Sequence, residues 1–391
     1  MMRLIKRISF LVVVIALVAS VGFWISDQDG AETTQAEIST LNSQSASPEP
    51  KLRTISIVSS GDILLHERLW AQAKADGTDG NLDFYPQLAD LEPVISSADL
   101  ALCHLETPLA EPGVDYQGYP TFNVPPQITD AIIKLGFDVC GTASNHSLDQ
   151  GFAGLKRTIE TLDAAGIPHT GTAVSQEAAS RPLIMDVKTE NGIVKVGILS
   201  YTYGFNGFER DVDKTWSANL IDLVAIIAEA KLARSQGAEI VITKLHWGTE
   251  YTNKADDFQT SVAQALADSG QIDLIDGSHS HSVQPLTQIG NTWIAYSHGN
   301  FVAAHREPTT IKSEGLITRW EFIEVSDGKF SLSCVSEVPT LIRDIRPIRV
   351  IDVNKALATG EYLGETKQRL EEAKSRTDKT FRALGFTKFC N

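Results

Sequence analysis

The stretch of sequence that decides the fold is residues 272–301, which read IDLIDGSHSHSVQPLTQIGNTWIAYSHGNF. The apolar run at its start predicts a β-strand, and Gly290-Asn291 predicts the turn of a hairpin further on. His279 and His281 lie in the loop between these two elements. Two imidazoles in a loop held by strands at both ends can point at one place, as metal ligands do. A polar turn without chemistry is the alternative that this stretch alone leaves open.

The composition is typical of a globular protein with a large core, with 391 residues, 42% hydrophobic and 21% charged. The net charge is −15, and the first 50 residues carry three basic and five acidic side chains, which leaves −13 for the remainder. So acidic a protein is unsuited to binding nucleic acid. An anionic substrate would need locally placed cations, which a metal site would supply.

The N-terminal segment, residues 1–25, predicts a membrane anchor or a signal peptide. Three basic residues precede an apolar run over residues 10–25, and the lack of a clean small-residue cleavage site favours the uncleaved anchor. The positive charges before the run predict a single-pass protein of the cell membrane, with its main domain outside the cytoplasm. Residues 26–50 predict a disordered linker, 51–342 the main domain, and 343–391 a C-terminal helical extension.

The four cysteines show no metal-binding spacing. Cys103 and Cys140 lie in apolar, strand-like runs, which predicts buried free thiols. Cys334 and Cys390 are able to pair in an oxidising compartment, and the sequence does not decide whether they do.

Six polar residues follow predicted strands. In an α/β protein the carboxyl ends of the strands meet at one edge of a sheet, so these side chains are expected to share one cavity. Their oxygens and imidazoles suit Mn²⁺, Fe²⁺ or Zn²⁺ better than Ca²⁺, and six ligands exceed the need of one zinc ion, which predicts two divalent ions. Two such ions would polarise a substrate and lower the pKa of a bound water. The six candidates are Asp62, Glu106, Asn145, His246, His279 and His281.

His146 and Asp149 are the candidate catalytic pair. His146 is placed to give a proton to a leaving group, and Asp149 either orients it or caps the following helix. Asp62 has a similar alternative role as a helix cap, beside a glycine that lets the backbone turn. Five more residues, on loops with exposed-looking aromatic and polar side chains, are predicted to contact substrate. They are Tyr203, Asn206, Trp247, Glu250 and Asn300.

Two other hydrolase classes fit less well. No Gly-x-Ser-x-Gly motif is present, which argues against a serine hydrolase of that type. A glycosidase could use Asp62 and Glu106, but the histidines would then have no explanation.

Five motifs resemble the CapA family of capsule, or poly-gamma-glutamate, synthesis proteins, which are related to calcineurin-like metallophosphoesterases. The motifs occur in the family's order and cover Gly61–His66, Asp99–Leu109, Gly136–Gly151, His246–Tyr251 and Gly277–Phe301. The resemblance implies an α/β protein built as a four-layer α/β/β/α sandwich, with a metal centre between the sheet edges.

The resemblance also implies a division of the ligands between the two ions. Asp62 and His281 would hold one ion, Asn145, His246 and His279 the other, with Glu106 between them and His146 beside the reacting group. Several positions depart from the family pattern. His104 replaces the usual Asn, Ser144, Ser278 and Ser280 replace Asn, His and Pro, His298 replaces Leu, and His66 is only a possible substitute for a missing metallophosphoesterase histidine.

The function that we expect is assembly, release or anchoring of an anionic surface polymer, poly-gamma-glutamate, by a metal-dependent hydrolase that cleaves a phosphoester or an amide. The alternative is a non-catalytic, polymer-binding component of a membrane synthesis or export complex.

Overall fold

The structure is a computed structural model that describes residues 51–305 and 310–390. The predicted anchor and linker, residues 1–50, lie outside this part of the chain. The residues from Lys51 onward form one compact unit. The predicted boundary after residue 342 falls at the end of a strand, Lys329–Arg343, inside that unit. Within the described ranges, no helix has both the length and the apolar character needed to cross a membrane.

The strands of the described residues belong to two sheets. In chain order they are β1 (Thr54–Ile63), β2 (Leu100–Leu105), β3 (Val139–Gly141), β4 (His169–Thr170), β5 (Leu183–Thr189), β6 (Gly192–Thr202), β7 (Ile240–His246), β8 (Leu274–Ser278), β9 (Leu286–Ile289), β10 (Thr292–Ala295), β11 (Asn300–Val302), β12 (Glu314–Ser326), β13 (Lys329–Arg343) and β14 (Arg349–Asp352).

The first sheet has the order β14-β13-β12-β1-β2-β3-β4, and β11 pairs with the carboxyl end of β1. Its strands β1 to β4 run parallel, whereas β12 to β14 are antiparallel. The second sheet has the order β5-β6-β7-β8-β10-β9, with four parallel strands inside two antiparallel edge strands. The parallel strands of each sheet therefore end together at one edge.

The helices connect these strands. In chain order they are α1 (Glu67–Asp76), α2 (Tyr85–Leu88), α3 (Glu92–Ile95), α4 (Ile128–Leu135), α5 (Gly151–Ala165), α6 (Gln176–Ala179), α7 (Leu223–Ser235), α8 (Asp257–Asp268), α9 (Val353–Thr359) and α10 (Gly364–Phe381).

Three hydrophobic clusters establish the layers. One lies between the sheets and joins Ile57 and Leu102 of the first to Ile198 and Ile242 of the second. The second packs the outer face of the first sheet against α1, α4 and α5, and the third packs the outer face of the second sheet against α7 and α8. Alternate residues of a strand point to opposite faces of the sheet, so a strand can contribute side chains to two clusters. The predicted mixed α/β architecture is confirmed, with two sheets face to face and helices outside them.

Two local predictions need correction. Gly61 was expected to allow a turn, but β1 continues through it to Ile63. A Cβ at Gly61 would lie 1.9 Å from the carbonyl oxygen of Gly299, so this glycine permits the close approach of the β11 segment. The sequence of residues 88–97 predicts one helix, but the structure has short pieces there, because Pro86 and Pro93 each begin a new turn.

The cysteines are paired in the structure. Cys103 and Cys140, predicted to be free thiols, lie opposite each other on β2 and β3 and form a disulfide. The in-register pairing of two neighbouring strands brings them together, which no spacing rule in the sequence indicates. Cys334 and Cys390 form a second disulfide, which joins β13 to the C-terminal end of the chain.

Candidate metal centre

The strand ends bring one cluster of potential ligands together from both sheets. Asp62 and His104 are register partners on β1 and β2, and His246 is the last residue of β7. All three side chains are fully buried. The Nε2 atom of His104 lies 3.0 Å from Nδ1 of His246, and Oδ1 of Asp62 lies 3.9 Å from the former and 3.8 Å from the latter. The three groups thus face a common point and are able to hold one metal ion.

A second cluster of potential ligands lies beside the first and consists of Glu106, His279 and His281. Nε2 of His281 lies 3.6 Å from Oε1 of Glu106, and its Nδ1 lies 3.4 Å from Oδ2 of Asp62. The side-chain oxygen of Asn300 lies 2.9 Å from the same Nδ1 and fixes the ring. Asp62 therefore contacts both clusters, because its Oδ2 also accepts the backbone N–H of His279 at 3.0 Å.

The loop that carries His279 and His281 is held in an unfavourable conformation. Both residues have positive φ angles, 88° and 50°. Side chains rarely adopt this region, and each such residue costs about 1–3 kcal/mol. Of the non-glycine residues with positive φ in the described chain, Asn206 and Tyr251 also lie at this site, so four of the five surround it. Strained backbone is thus concentrated around the candidate ligands, as is common at functional sites.

Asn145 connects to the first cluster through His246. Its side-chain oxygen lies 2.9 Å from Nε2 of His246, and Oε1 of Glu106 lies 3.7 Å from the same nitrogen. The His246 ring thus contacts the first cluster through Nδ1, and Asn145 and Glu106 through Nε2. Ser278 Oγ lies 3.1 Å from Nδ1 of the same ring. All six residues predicted as ligands are brought together. The grouping differs from the one implied by the family resemblance, since His246 lies with Asp62 and His281 lies with Glu106.

Burial favours the neutral form of three of the imidazoles at this site. Burial lowers the pKa of His104 to about 4 and that of His279 to about 3, and it lowers the pKa of His246 well below its usual value. Burial would also lower the pKa of His281, but the Glu106 and Asp62 carboxylates outweigh it and raise the pKa to about 9. Burial raises the pKa of Glu106 well above its ordinary value. Three neutral imidazoles therefore offer nitrogen ligands at neutral pH.

Several buried atoms of the cluster lack the hydrogen bonds that such atoms normally have. Within residues 51–305 and 310–390, no hydrogen-bond partner exists for Oδ1 of Asp62, both carboxylate oxygens of Glu106, Nδ1 of His104 or Nδ1 of His279. Leaving buried polar atoms unpaired costs about 1–3 kcal/mol each and more for charged groups. Bound cations would satisfy the carboxylate oxygens, so these residues fit divalent metal ions.

His146 and Asp149 form a hydrogen-bonded pair next to the centre. Nδ1 of His146 donates to Oδ2 of Asp149 at 2.7 Å, and the same oxygen accepts the backbone N–H of Phe122 at 2.6 Å. The Phe122 ring packs edge-on against the imidazole, with 4.8 Å between ring centres. Helix α5 begins at Gly151 with Gln150 as its cap residue, so Asp149 orients His146 and does not cap the helix.

A cleft of about 650 Å³ opens in front of these residues. His146, Asn145 and His281 lie on its wall, and aromatic side chains line its mouth, among them Tyr119, Phe208 and Tyr251. Lys312 is the one lysine or arginine among the described residues that line the cleft, and its ammonium lies 3.9 Å from the centre of the Tyr251 ring.

The five predicted substrate contacts are divided by the structure. Asn206 and Glu250 line the cleft, and the Tyr203 ring packs on His279 with 4.5 Å between ring centres. Trp247 is fully buried in the core beneath the second sheet, and its indole N–H donates to the Tyr296 carbonyl. The predicted substrate contact of Trp247 is therefore not supported. Asn300 is also buried and acts on His281, as described above.

Two histidines at the cleft lie outside both clusters. His66 precedes α1, lines the cleft and packs on His305, with 4.7 Å between ring centres. The His305 ring also packs on the His281 ring, with 5.4 Å between ring centres. The sequence does not indicate His305, because it follows β11 without a recognisable motif. His104 was identified only as a departure from a family pattern. Strand alternation does indicate its position, since it follows Leu100 and Leu102 on the inner face of β2.

His298, the unexplained third histidine of the decisive stretch, lies beneath the centre. Its Nδ1 lies 3.0 Å from Oδ1 of Asp276, and its Nε2 lies 2.8 Å from the Thr318 hydroxyl. Asp276 also forms a buried ion pair with Lys244. Burial would raise the pKa of Asp276, but the Lys244 ammonium and His298 outweigh it and hold the pKa below its ordinary value. His298 is therefore part of a buried charged network.

The fold and the site together define a class: two-sheet α/β proteins with a buried cluster of histidines and carboxylates, suited to divalent metal ions, at the base of a cleft. Residues 56–305 match the family described as bacterial capsule synthesis protein PGA_cap. The chain belongs to this family. The resemblance seen in the five motifs is thereby confirmed.

The relatives carry related descriptions. "PGA biosynthesis protein CapA" of Bacillus subtilis (strain 168) is 27% identical over 270 residues, which are 65% of this chain and 66% of that protein. "Capsule biosynthesis protein CapA" of Bacillus anthracis is 29% identical over 219 residues, 54% of this chain and 52% of that protein. The match spans less than two thirds of either relative. Among solved structures, calcineurin-like phosphoesterase YfkN from Bacillus subtilis aligns with 83% of this chain and 100% of its own, at 14% identity and with a TM-score of 0.44.

Proposed function

We propose that this chain takes part in the assembly, release or anchoring of an anionic capsule polymer, poly-gamma-glutamate, as a metal-dependent hydrolase. In this proposal the N-terminal segment anchors it in the cell membrane, the main domain lies outside the cytoplasm, and the fold is a metallophosphoesterase-type sandwich. Family membership and the descriptions of the relatives support the polymer. The observation that carries the metal-dependent chemistry is the set of unpartnered, buried carboxylate oxygens of Asp62 and Glu106, next to His281 on the cleft wall.

The charge of the cleft supports a metal requirement. The chain carries −15. Lys312 is the one lysine or arginine among the described lining residues, and the acidic Glu250 also lines the cleft. A polyanion would be repelled from such a surface. Divalent ions at the buried cluster would supply the missing positive charge, act as Lewis acids and lower the pKa of a bound water.

The chain's own residues would complete the chemistry. His146 faces the cleft with Nδ1 held by Asp149, so Nε2 is directed by the pair's geometry and the carboxylate would stabilise an imidazolium. That arrangement suits a proton donor to the leaving group of a phosphoester or an amide. Asn206 contacts Asn145 at 3.2 Å and lies on the cleft wall, where its amide is placed to bind a polar substrate.

The test combines metal analysis with turnover. The purified full chain should contain divalent metal and hydrolyse either a model phosphodiester or gamma-linked glutamate oligomers, and chelation should remove the activity. Replacing His279 and His281 together by Ala should remove the ion of the second cluster, which is one of the two expected ions, and leave the circular dichroism spectrum unchanged. His169→Ala is a matched control, because His169 pairs with Asp163 outside both clusters.

The alternative function gives a different result. A chain that binds the polymer but contains no metal and hydrolyses neither substrate would be a non-catalytic component of a synthesis or export complex. Full metal occupancy in the double variant would show that the centre lies elsewhere.

A further inference from the structure

His104 has a position that its strand dictates. It follows Leu100 and Leu102 on the face of β2 that looks toward the second sheet, and its register partners are Asp62 on β1 and Gly141 on β3. Gly141 leaves room for the ring, since a Cβ at that residue would lie 3.2 Å from Nδ1 of His104. The imidazole is therefore held between two strands with Nε2 toward the cluster.

The distances around His104 match those of ligands to one ion. The circle through Nε2 of His104, Nδ1 of His246 and Oδ1 of Asp62, which are 3.0, 3.9 and 3.8 Å apart, has a radius of about 2.1 Å, and metal–nitrogen and metal–oxygen bonds are roughly 2.0–2.2 Å long. One point in the plane of these atoms therefore lies at bonding distance from all three.

A hydrogen bond between the two imidazoles explains less of the geometry. It would pair His104 with His246 but would leave Oδ1 of Asp62 buried and without a hydrogen bond within the described part of the chain. A shared cation would pair all three atoms at once. A carboxylate buried without a partner is strongly unfavourable. The observations therefore favour a shared cation over a hydrogen bond between the two imidazoles.

We propose that His104 is a metal ligand and forms, with Asp62 and His246, a site of two imidazoles and one carboxylate. This inference rests on the metal-dependent function proposed above and adds the chemical class of the ion. The resembling family usually has Asn, an amide oxygen donor, where this chain has His104. An imidazole nitrogen at this position shifts the metal preference of the site from Mg²⁺ or Mn²⁺ toward Zn²⁺ or Fe²⁺. Sets of two histidines and one carboxylate leave further coordination positions for water or substrate.

The test uses the full chain stripped with a chelator and titrated with Zn²⁺, Mn²⁺ and Co²⁺. Loss of a mere hydrogen-bond partner of a metal-binding imidazole costs roughly 10–100-fold in affinity but keeps the coordination sphere. His104→Ala should instead lose one equivalent of tightly bound Zn²⁺ and alter the visible absorption of bound Co²⁺. His104→Asn, which restores an oxygen ligand, should retain the stoichiometry but lower the ratio of Zn²⁺ to Mn²⁺ affinity.

The controls separate the possible outcomes. His298→Asn changes another fully buried histidine outside both clusters and should keep the wild-type stoichiometry and Co²⁺ spectrum. Thermal unfolding in excess chelator checks that each variant is folded. An unchanged Co²⁺ spectrum in a folded His104→Ala variant overturns the ligand role and leaves the proposed function intact. A wild-type chain that binds no ion overturns both.

Discussion

At the level of single residues, the His146–Asp149 pair makes a direct prediction. Asp149 accepts two hydrogen bonds on one oxygen, from His146 and from the Phe122 backbone. In Asp149→Asn the amide carries no charge to stabilise an imidazolium, so turnover should fall by about 100-fold, within the 10²–10⁴-fold range of general acid catalysis. Steady-state turnover and metal analysis measure this, and the metal content should be unchanged. A variant that loses metal as well would place Asp149 in the centre itself.

Glu229, which lies outside both clusters of potential ligands, provides a pH test. The Tyr201 hydroxyl donates to this half-buried carboxylate, and burial raises the pKa of Glu229 to about 7 from an ordinary value of 4.5. The folded state therefore binds the proton more tightly than the unfolded state, so its stabilising effect is complete below about pH 4.5 and is lost as the pH rises through about 7. Relative to Glu229→Gln, the wild type should lose about 2 kcal/mol of unfolding free energy between pH 5 and pH 8.

Urea unfolding of both chains at the two pH values measures this difference. Lys195→Gln is a suitable control, because its ion pair with Asp186 is exposed and contributes little at either pH. Equal pH dependence of the wild type and Glu229→Gln would mean that the carboxyl group titrates normally in the folded protein.

The candidate ligands were easier to recognise in the sequence than the residues that surround and orient them. Asp62, Glu106 and the histidines could be recognised because polar side chains after apolar strands are costly unless they have a function. Trp247 was misjudged, since its position next to His246 says nothing about the face of the chain on which it lies. Asn300 could not be assigned to His281 from the sequence, because the two are 19 positions apart and only the pairing of β11 with β1 brings them together.

At the level of elements, a buried polar network ties the two sheets together beneath the centre. Lys244 of β7 and Asp276 of β8 are register partners, His298 contacts Asp276, and Thr318 of β12 lies 2.8 Å from His298. In Asp276→Asn the Lys244 ammonium would be left in the core without its counter-charge. We expect a loss of about 3–5 kcal/mol in the free energy of unfolding, because breaking one side of a buried ion pair leaves an uncompensated charge.

Denaturant unfolding measures that loss against two references. Asp186→Asn breaks the exposed pair with Lys195 and should cost at most about 1 kcal/mol. The double variant Lys244→Met with Asp276→Leu should be less destabilised than Asp276→Asn, since it removes both charges. A single variant no worse than the exposed control would show that the Lys244 ammonium finds another partner.

Strands with a continuous apolar run were predictable, and β4 and β11 were not. The apolar run over residues 100–105 predicts β2 with the bounds that the structure has, and the run over residues 239–245 predicts β7 to within one residue at each end. Continuous apolar runs of this kind are typical of buried parallel strands. The two-residue strand β4 and the three-residue strand β11 carry no such run. Their pairing depends on neighbours distant in sequence, and β11 matters most because it pairs with the carboxyl end of β1 at Asp62.

At the level of the whole molecule, the site exists because two sheets end at the same place. Residues 62 to 106 supply its carboxylates from the first sheet, and residues 246 to 281 supply most of its imidazoles from the second. The strand-end rule predicts each half separately. The face-to-face packing that joins the halves depends on the hydrophobic cluster between the sheets, which the sequence shows only as alternation within single strands.

The overall charge makes a prediction about polymer binding. Proteins that bind polyanions through basic surfaces lose affinity steeply as salt rises, but this chain carries −15. If the buried ions hold poly-gamma-glutamate, the long-range interaction is repulsive and salt screens it. Affinity for the polymer should then stay level or rise between about 0.05 and 0.3 M NaCl, because the Debye length falls from roughly 14 to 6 Å.

Chelation should abolish binding at every salt concentration, and Lys312→Gln should weaken it without changing the sign of the salt dependence. Isothermal titration of the full chain with polymer of defined length measures these effects. A steep fall in affinity with salt, unaffected by chelation, would locate the polymer on a basic surface away from the cleft.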